Sequence, residues 1–143
     1  MRIKKAHVEA ISAHARRGYP FEVCGVLLGR IDGNGGVRVE SVEEVVNREV
    51  ETPRVFYRIA PEDLIRIQRA ARERDLDIVG YYHSHPDHPA RPSETDRKIA
   101  AEGLSDGVVH MVFGVEKGER AIPSAWIFRE ARQAFDDEPL EIE

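Results

Sequence analysis

The sequence predicts one α/β (α+β) domain, with helices and strands mixed in a single short fold. Two observations carry that expectation. At 143 residues the chain has the length of one domain, enough to bury roughly two-thirds of its unfolded surface. Along it, segments of helical period alternate with short apolar or period-two runs, the pattern of a layer of strands against helices. A hydrophobic content of 41% with 33% charged residues fits a globular chain and excludes a collagen-like or largely disordered one.

The first apolar-periodic segment spans 6–17. Val8, Ile11 and Ala15 share one face there, and Gly18 stands where a helix-ending glycine belongs. Residues 21–31 read as a buried strand, because Val23, Cys24, Val26, Leu27 and Leu28 form a nearly continuous apolar run. Asp32-Gly33-Asn34-Gly35-Gly36 is a turn signal. Residues 37–46 then alternate around Val37, Val39 and Val42, so the two strands form a hairpin. A polar connector, 47–54, leads to an expected short strand at 55–59. Pro61 opens a helix with Glu62 and Asp63 in its first turn and Arg69, Arg72 and Arg74 near its far end, and both ends complement the helix dipole. Leu64, Ile67 and Ala71 give it one apolar face. Residues 77–85 form a strand running into a proline-rich loop, 93–102 a helix, and 108–115 and 121–128 strands.

The formal net charge is −5, which gives no bulk attraction for nucleic acid or anionic lipid. Five acids, Asp136, Asp137, Glu138, Glu141 and Glu143, fall in the last eight residues. The expected organisation is therefore a formally neutral body over 1–135 and an acidic, flexible tail over 136–143. Residues 129–143 are expected to fray, for want of apolar content. Trimming 136–143 is expected to leave the functional site intact. Cys24 is the one cysteine, so no intramolecular disulfide forms and a reducing compartment fits. No apolar leader segment and no run near ~18 apolar residues is present, so the expected location is cytoplasmic, away from membranes.

Chemistry concentrates in Tyr81-Tyr82-His83-Ser84-His85-Pro86 and the Pro92-Ser93-Glu94-Thr95-Asp96 that follows. His83 and His85 are two apart on an extended segment, so both imidazoles face the same way, roughly 6–7 Å apart along the strand. Two such nitrogens can converge on one ion. Ser93 opens the next helix and places Asp96 in its first turn, where a carboxylate is favoured by the helix dipole and can supply an oxygen ligand. Three protein ligands with a fourth position for water is a catalytic zinc arrangement. Alone, a His-x-His pair is more often solvated than metal-bound, and Ser93-x-x-Asp96 is a plain helix cap. His88 reads as a loop residue, and His7, His14 and His110 as surface or core residues.

Together, His83-Ser84-His85-Pro86 and Ser93-x-x-Asp96, ten residues lying between His85 and Asp96, resemble the motif of the JAMM (MPN+) metalloproteases. Pro20-Phe21-Glu22-Val23-Cys24-Gly25-Val26-Leu27-Leu28-Gly29 resembles the family's upstream segment in its prokaryotic single-domain branch. The resemblance implies a curved, mixed or antiparallel sheet flanked by helices, similar to the cytidine-deaminase-like architecture. It implies one zinc per chain, with a catalytic water. His83, His85 and Asp96 match the metal ligands, Glu22 the general acid/base, and Ser93 the residue that helps stabilise the oxyanion. Cys24 reads as a small core residue, since a fourth ligand would close the site. The implied reaction is hydrolysis of a peptide or isopeptide bond after the Gly-Gly of a ubiquitin-like or sulfur-carrier protein. The short connector at 47–54 leaves no room for the large insertions of eukaryotic members. A non-catalytic MPN scaffold is the alternative, disfavoured because scaffold members lack the ligand set. The oligomeric state is not set by the sequence.

Overall fold

The computed structural model describes residues 1–103 and 105–143. Its first helix, α1 (Lys5–Gly18), buries the face of Val8, Ile11 and Ala15. The helix runs one residue past the expected end. Gly18 is its last residue, at a position with no room for a side chain because a Cβ there would collide with Val23, and Pro20 then bars further turns. β2 (Cys24–Ile31) pairs antiparallel with β3 (Val37–Val45), the expected hairpin. β2 begins three residues later than the strand expected over 21–31, so Glu22 stands in the loop before it.

The expected strand at 55–59 does not form. Asn47 takes the place of a neighbouring strand: its Nδ2 donates to the carbonyls of Glu22 (3.0 Å) and Phe56 (3.1 Å). Its Oδ1 accepts the backbone N–H groups of Glu49 (2.9 Å) and Arg58 (3.1 Å). Side-chain bonds of this kind compete with a sheet ladder for the same backbone groups. α2 (Pro61–Glu73) has Pro61 in its first turn and buries Ile67 and Ala71. β4 (Asp77–Pro86) follows, then α3 (Glu94–Glu102), β5 (Val109–Glu116) and β6 (Arg120–Arg129).

Two short strands close the chain, β7 (Ala134–Asp137) and β8 (Glu141–Ile142), and β1 (Arg2–Ile3) precedes α1. The sheet has the order β7-β6-β5-β4-β2-β3-β1-β8. β4 runs parallel to β5, and β1 parallel to β3 and β8, while the remaining pairs are antiparallel. β7 and β8 stand at opposite ends of that order, yet only residues 138–140 join them. Four steps of chain span at most about 14 Å, so the sheet must curl until its edges approach. α1 packs against β3, β5 and β6 on the inner face, where its apolar stripe meets Val39, Met111, Phe113 and Ile127. On the other face Cys24, Val26 and Leu28 pack with Ile67, Ala71 and Leu76.

The tail corrects the expectation that 129–143 fray. Phe128 pairs with Phe135 and Trp126 with Asp137 at one edge, and Arg2 pairs with Glu141 and Ile3 with Ile142 at the other. The Met1 ammonium donates to Glu138 Oε1 at 2.6 Å and to the Pro139 carbonyl at 2.7 Å, and Leu140 packs against the core. Backbone pairing at a sheet edge needs little apolar content, and an acidic segment suits a buried ammonium. Among the described residues, no helix is long and apolar enough to cross a membrane.

Candidate metal centre

β4 carries His83 and His85 on one face, as its period requires, and both are buried. Their Nε2 atoms lie 3.0 Å apart. Asp96 comes from the first turn of α3, where Ser93 and Asp96 form a reciprocal cap. Ser93 Oγ accepts the Asp96 N–H at 3.1 Å, and Asp96 Oδ2 accepts the Ser93 N–H at 2.8 Å. That same Oδ2 lies 3.2 Å from His83 Nε2 and 3.1 Å from His85 Nε2. Two imidazole nitrogens and a carboxylate oxygen thus converge from one strand and one helix start. On the far side of the His85 ring, Nδ1 meets the Pro89 carbonyl at 3.0 Å. A proton held there leaves the Nε2 lone pair facing the centre.

Glu22 completes the group. It is buried, and a carboxylate oxygen of Glu22 and a ring nitrogen of each histidine all lie within 4.8 Å of one another. Its backbone is held from both sides, the N–H by the Pro53 carbonyl at 2.8 Å and the carbonyl by Asn47. Ser84 points away from the centre and sets the next residue. Its Oγ accepts the Val23 N–H at 2.9 Å, and its own N–H donates to the Val23 carbonyl at 3.0 Å. With Cys24 paired to His83 across β2 and β4, this fixes Glu22 beside the histidines. Glu22, His85, Val55, Pro92 and Ser93 line a cleft of about 380 Å³.

The electrostatics suit proton transfer beside a cation. Burial pushes the Glu22 carboxyl up to about 8; the Asp96 charge adds to this and the His85 charge opposes it. Burial would also raise Asp96, but hydrogen bonds from His83 and His85 outweigh it and hold the group far below the usual carboxylate range. Burial lowers His83 below the usual histidine range despite Asp96. At His85 burial acts the same way, yet Asp96 and the Pro89 carbonyl raise the net value. Cys24 is driven up to about 12, mainly by burial and further by the charges of Glu22 and Asp63. Its Sγ donates to the Val45 carbonyl at 3.6 Å. It is a neutral thiol within the core.

Several supporting residues had no signal in the sequence. Tyr57, expected in a strand, stacks on His83 with ring centres 4.6 Å apart and planes 24° from parallel. Asn47 read only as part of a polar connector. Ser84 sat inside the histidine motif, and its alternation with the histidines alone foretells that it faces the opposite way.

The sequence matches the family of prokaryotic homologs of the JAB domain over residues 4–141. It is 39% identical over 97 residues to the desampylase of Haloferax volcanii, covering 65% of this chain and 67% of that protein. It is 41% identical over 95 residues to the CysO-cysteine peptidase of Mycobacterium tuberculosis, covering 66% of this chain and 62% of that one. The chain thus spans no more than 67% of the length of either. The solution structure of a protein from Desulfitobacterium hafniense matches with a TM-score of 0.85 at 25% identity, over 99% of this chain and 92% of that one. A JAB1/MPN domain protein from Archaeoglobus fulgidus shares the fold, with a TM-score of 0.62 at 17% identity over 99% and 98% of the two chains.

Proposed function

The chain belongs to the prokaryotic JAB-domain (JAMM/MPN) family, and on that premise we propose that it is a zinc metallopeptidase. Its substrate is the peptide or isopeptide bond after the C-terminal Gly-Gly of a ubiquitin-like or sulfur-carrier protein. The observation that carries this reading is the mutual approach of His83 Nε2, His85 Nε2 and Asp96 Oδ2 to 3.0–3.2 Å, with Glu22 beside them. Two imidazoles and an ionised carboxylate are a donor set that fits zinc, the imidazoles being neutral once they ligate, and three protein ligands leave a position open. His85 is already turned for this by the Pro89 carbonyl, and Asp96 by the cap of α3.

Zinc held by His83, His85 and Asp96 supplies a Lewis acid that polarises a carbonyl and lowers the pKa of water toward ~7. The residues around it do the rest. Glu22, in the ionised form that a neighbouring cation favours, accepts the proton of the attacking water and returns it to the leaving amine. Ser93 uses its oxygen to accept the Asp96 N–H, so its own hydroxyl proton is free to donate to the oxygen that gains negative charge. Glu22 and Ser93 line one cleft with Val55 and Pro92, and glycines, having no side chains, are the residues that would crowd that wall least. The relatives named desampylase and CysO-cysteine peptidase support a carrier-protein substrate.

The test is incubation of zinc-loaded protein with the host's ubiquitin-like carriers, each extended beyond Gly-Gly, with and without a zinc chelator. Mass spectrometry should find a cut after Gly-Gly that the chelator abolishes. Purified protein that takes up no zinc, or cleavage indifferent to the chelator, would overturn the reading.

A further inference from the structure

Two buried side-chain nitrogens have no partner among the described residues, Nδ1 of His83 and Nε2 of His110. Both residues are more than nine-tenths buried, His83 being 2% exposed and His110 9%. Both line the same cavity of about 40 Å³, whose wall also includes Tyr57, Asp96 and Ser105. The sheet explains why they share it. On parallel strands β4 and β5, Tyr81 pairs with His110 and His83 with Val112. His110 therefore stands two residues before the partner of His83, on the same face.

A buried ring nitrogen left unpaired, whether donor or acceptor, costs roughly 1–3 kcal/mol, and this cavity is lined by two residues that each carry one. One water takes up about 30 Å³ in the liquid and needs two to four polar partners. This cavity has the volume for one water, and its wall includes the polar residues His83, His110, Ser105 and Tyr57. The contrast with His85 adds to the case, since its Nδ1 has the Pro89 carbonyl whereas His83 has no protein acceptor. Tyr57 lies against the face of the His83 ring and cannot serve in the ring plane. A metal-ligating histidine nearly always gives its other N–H to a carboxylate, a carbonyl or a water.

We propose that the cavity is a built site for one water, which accepts the Nδ1–H of His83 and donates to Nε2 of His110. His110 is thereby a positioning residue for His83. The water fixes the His83 tautomer that turns Nε2 toward Asp96 and His85. Burial keeps His110 neutral, its pKa pushed down to about 4, which leaves one ring nitrogen free to accept. The consequence for metal binding rests on the reading of His83 as a ligand; the water site itself does not.

Two variants of the whole protein test this. His110→Phe keeps a ring between Tyr81 and Phe135 and removes both nitrogens, whereas His110→Gln restores a polar group. In competition against a chelator, His110→Phe should bind zinc about 10–100-fold more weakly, and His110→Gln should recover most of the loss. Nitrogen-15 NMR should show a slowly exchanging Nδ1 proton on His83 that is lost in His110→Phe. A high-resolution crystal structure of the wild type should show one water within hydrogen-bond distance of both nitrogens, a readout that stands even if a variant does not fold. A dry cavity, or wild-type zinc affinity and an unchanged His83 tautomer in His110→Phe, would overturn the proposal. If the wild type takes up no zinc, the metal reading fails, while the NMR and the crystal still decide the water site.

Discussion

Glu22 is a carboxyl group kept partly protonated near neutral pH by its own burial. Replacement by glutamine keeps its shape and removes its proton chemistry. Glu22→Gln is expected to retain one zinc per chain by elemental analysis while carrier cleavage falls by about 10²–10⁴; an active variant would transfer the acid/base role elsewhere. His110 sets a pH dependence of the opposite sense. Its folded pKa of about 4 lies below the free value of 6.5, so the unfolded chain takes up the proton first. The native state therefore keeps its full margin above pH 6.5 and loses about 3 kcal/mol as the pH falls toward 4. Glu22, with its raised pKa, acts in the opposite direction over much of that window, so the test is the difference between two proteins: as the pH falls, urea midpoints of the metal-free wild type should lose more, or gain less, than those of His110→Phe; equal changes would assign the effect to other groups. His83, His85 and Asp96 were legible because strand alternation and a helix's first turn fix direction from a few neighbouring residues. Tyr57 and His110 were not, because each meets His83 only through pairings set elsewhere in the sheet.

At the level of elements, the site is assembled from one strand end, one helix start and one loop, and each can be loosened separately. Ser93→Ala removes the hydroxyl that accepts the Asp96 N–H, worth about 1 kcal/mol, and loosens the helix start that carries Asp96, although the Ser93 N–H still reaches Asp96 Oδ2. It is expected to lower both the melting temperature and the zinc affinity, whereas Ser93→Thr restores both; an unchanged melting temperature in Ser93→Ala would mean the cap contributes little. Asn47→Ala should act on catalysis instead. The four bonds of Asn47 hold the connector and the Glu22 carbonyl, while the three candidate ligands lie on other elements. Its zinc content should match the wild type and its kcat should drop at least tenfold, and loss of zinc would contradict that separation. The helices and the central strands were legible from apolar period. The connector was not: its polar residues carry no period, and one asparagine side chain replaced the strand partner that the run at 55–59 lacked.

For the molecule as a whole, the acidic segment that reads as solvated is the closure of the sheet. Three of its five acids have charged partners: Glu138 meets the Met1 ammonium, Asp136 meets Arg129 and Arg132, and Glu143 meets Arg38. Removing 138–143 would strip β1 of its outer neighbour and take from the Met1 ammonium both of its partners, Glu138 and the Pro139 carbonyl. The truncated protein is expected to melt well below the full chain, with zinc binding weakened in step; the sequence alone foretold no such effect. An unchanged melting curve would show that closure contributes little. β1 and β8 pair across nearly the whole chain, so theirs is the contact whose loop closure costs most and which forms last. Refolding followed by pulsed hydrogen exchange should protect the amides of β4 and β5 before those of β1 and β8; simultaneous protection would show that the sheet closes in one step.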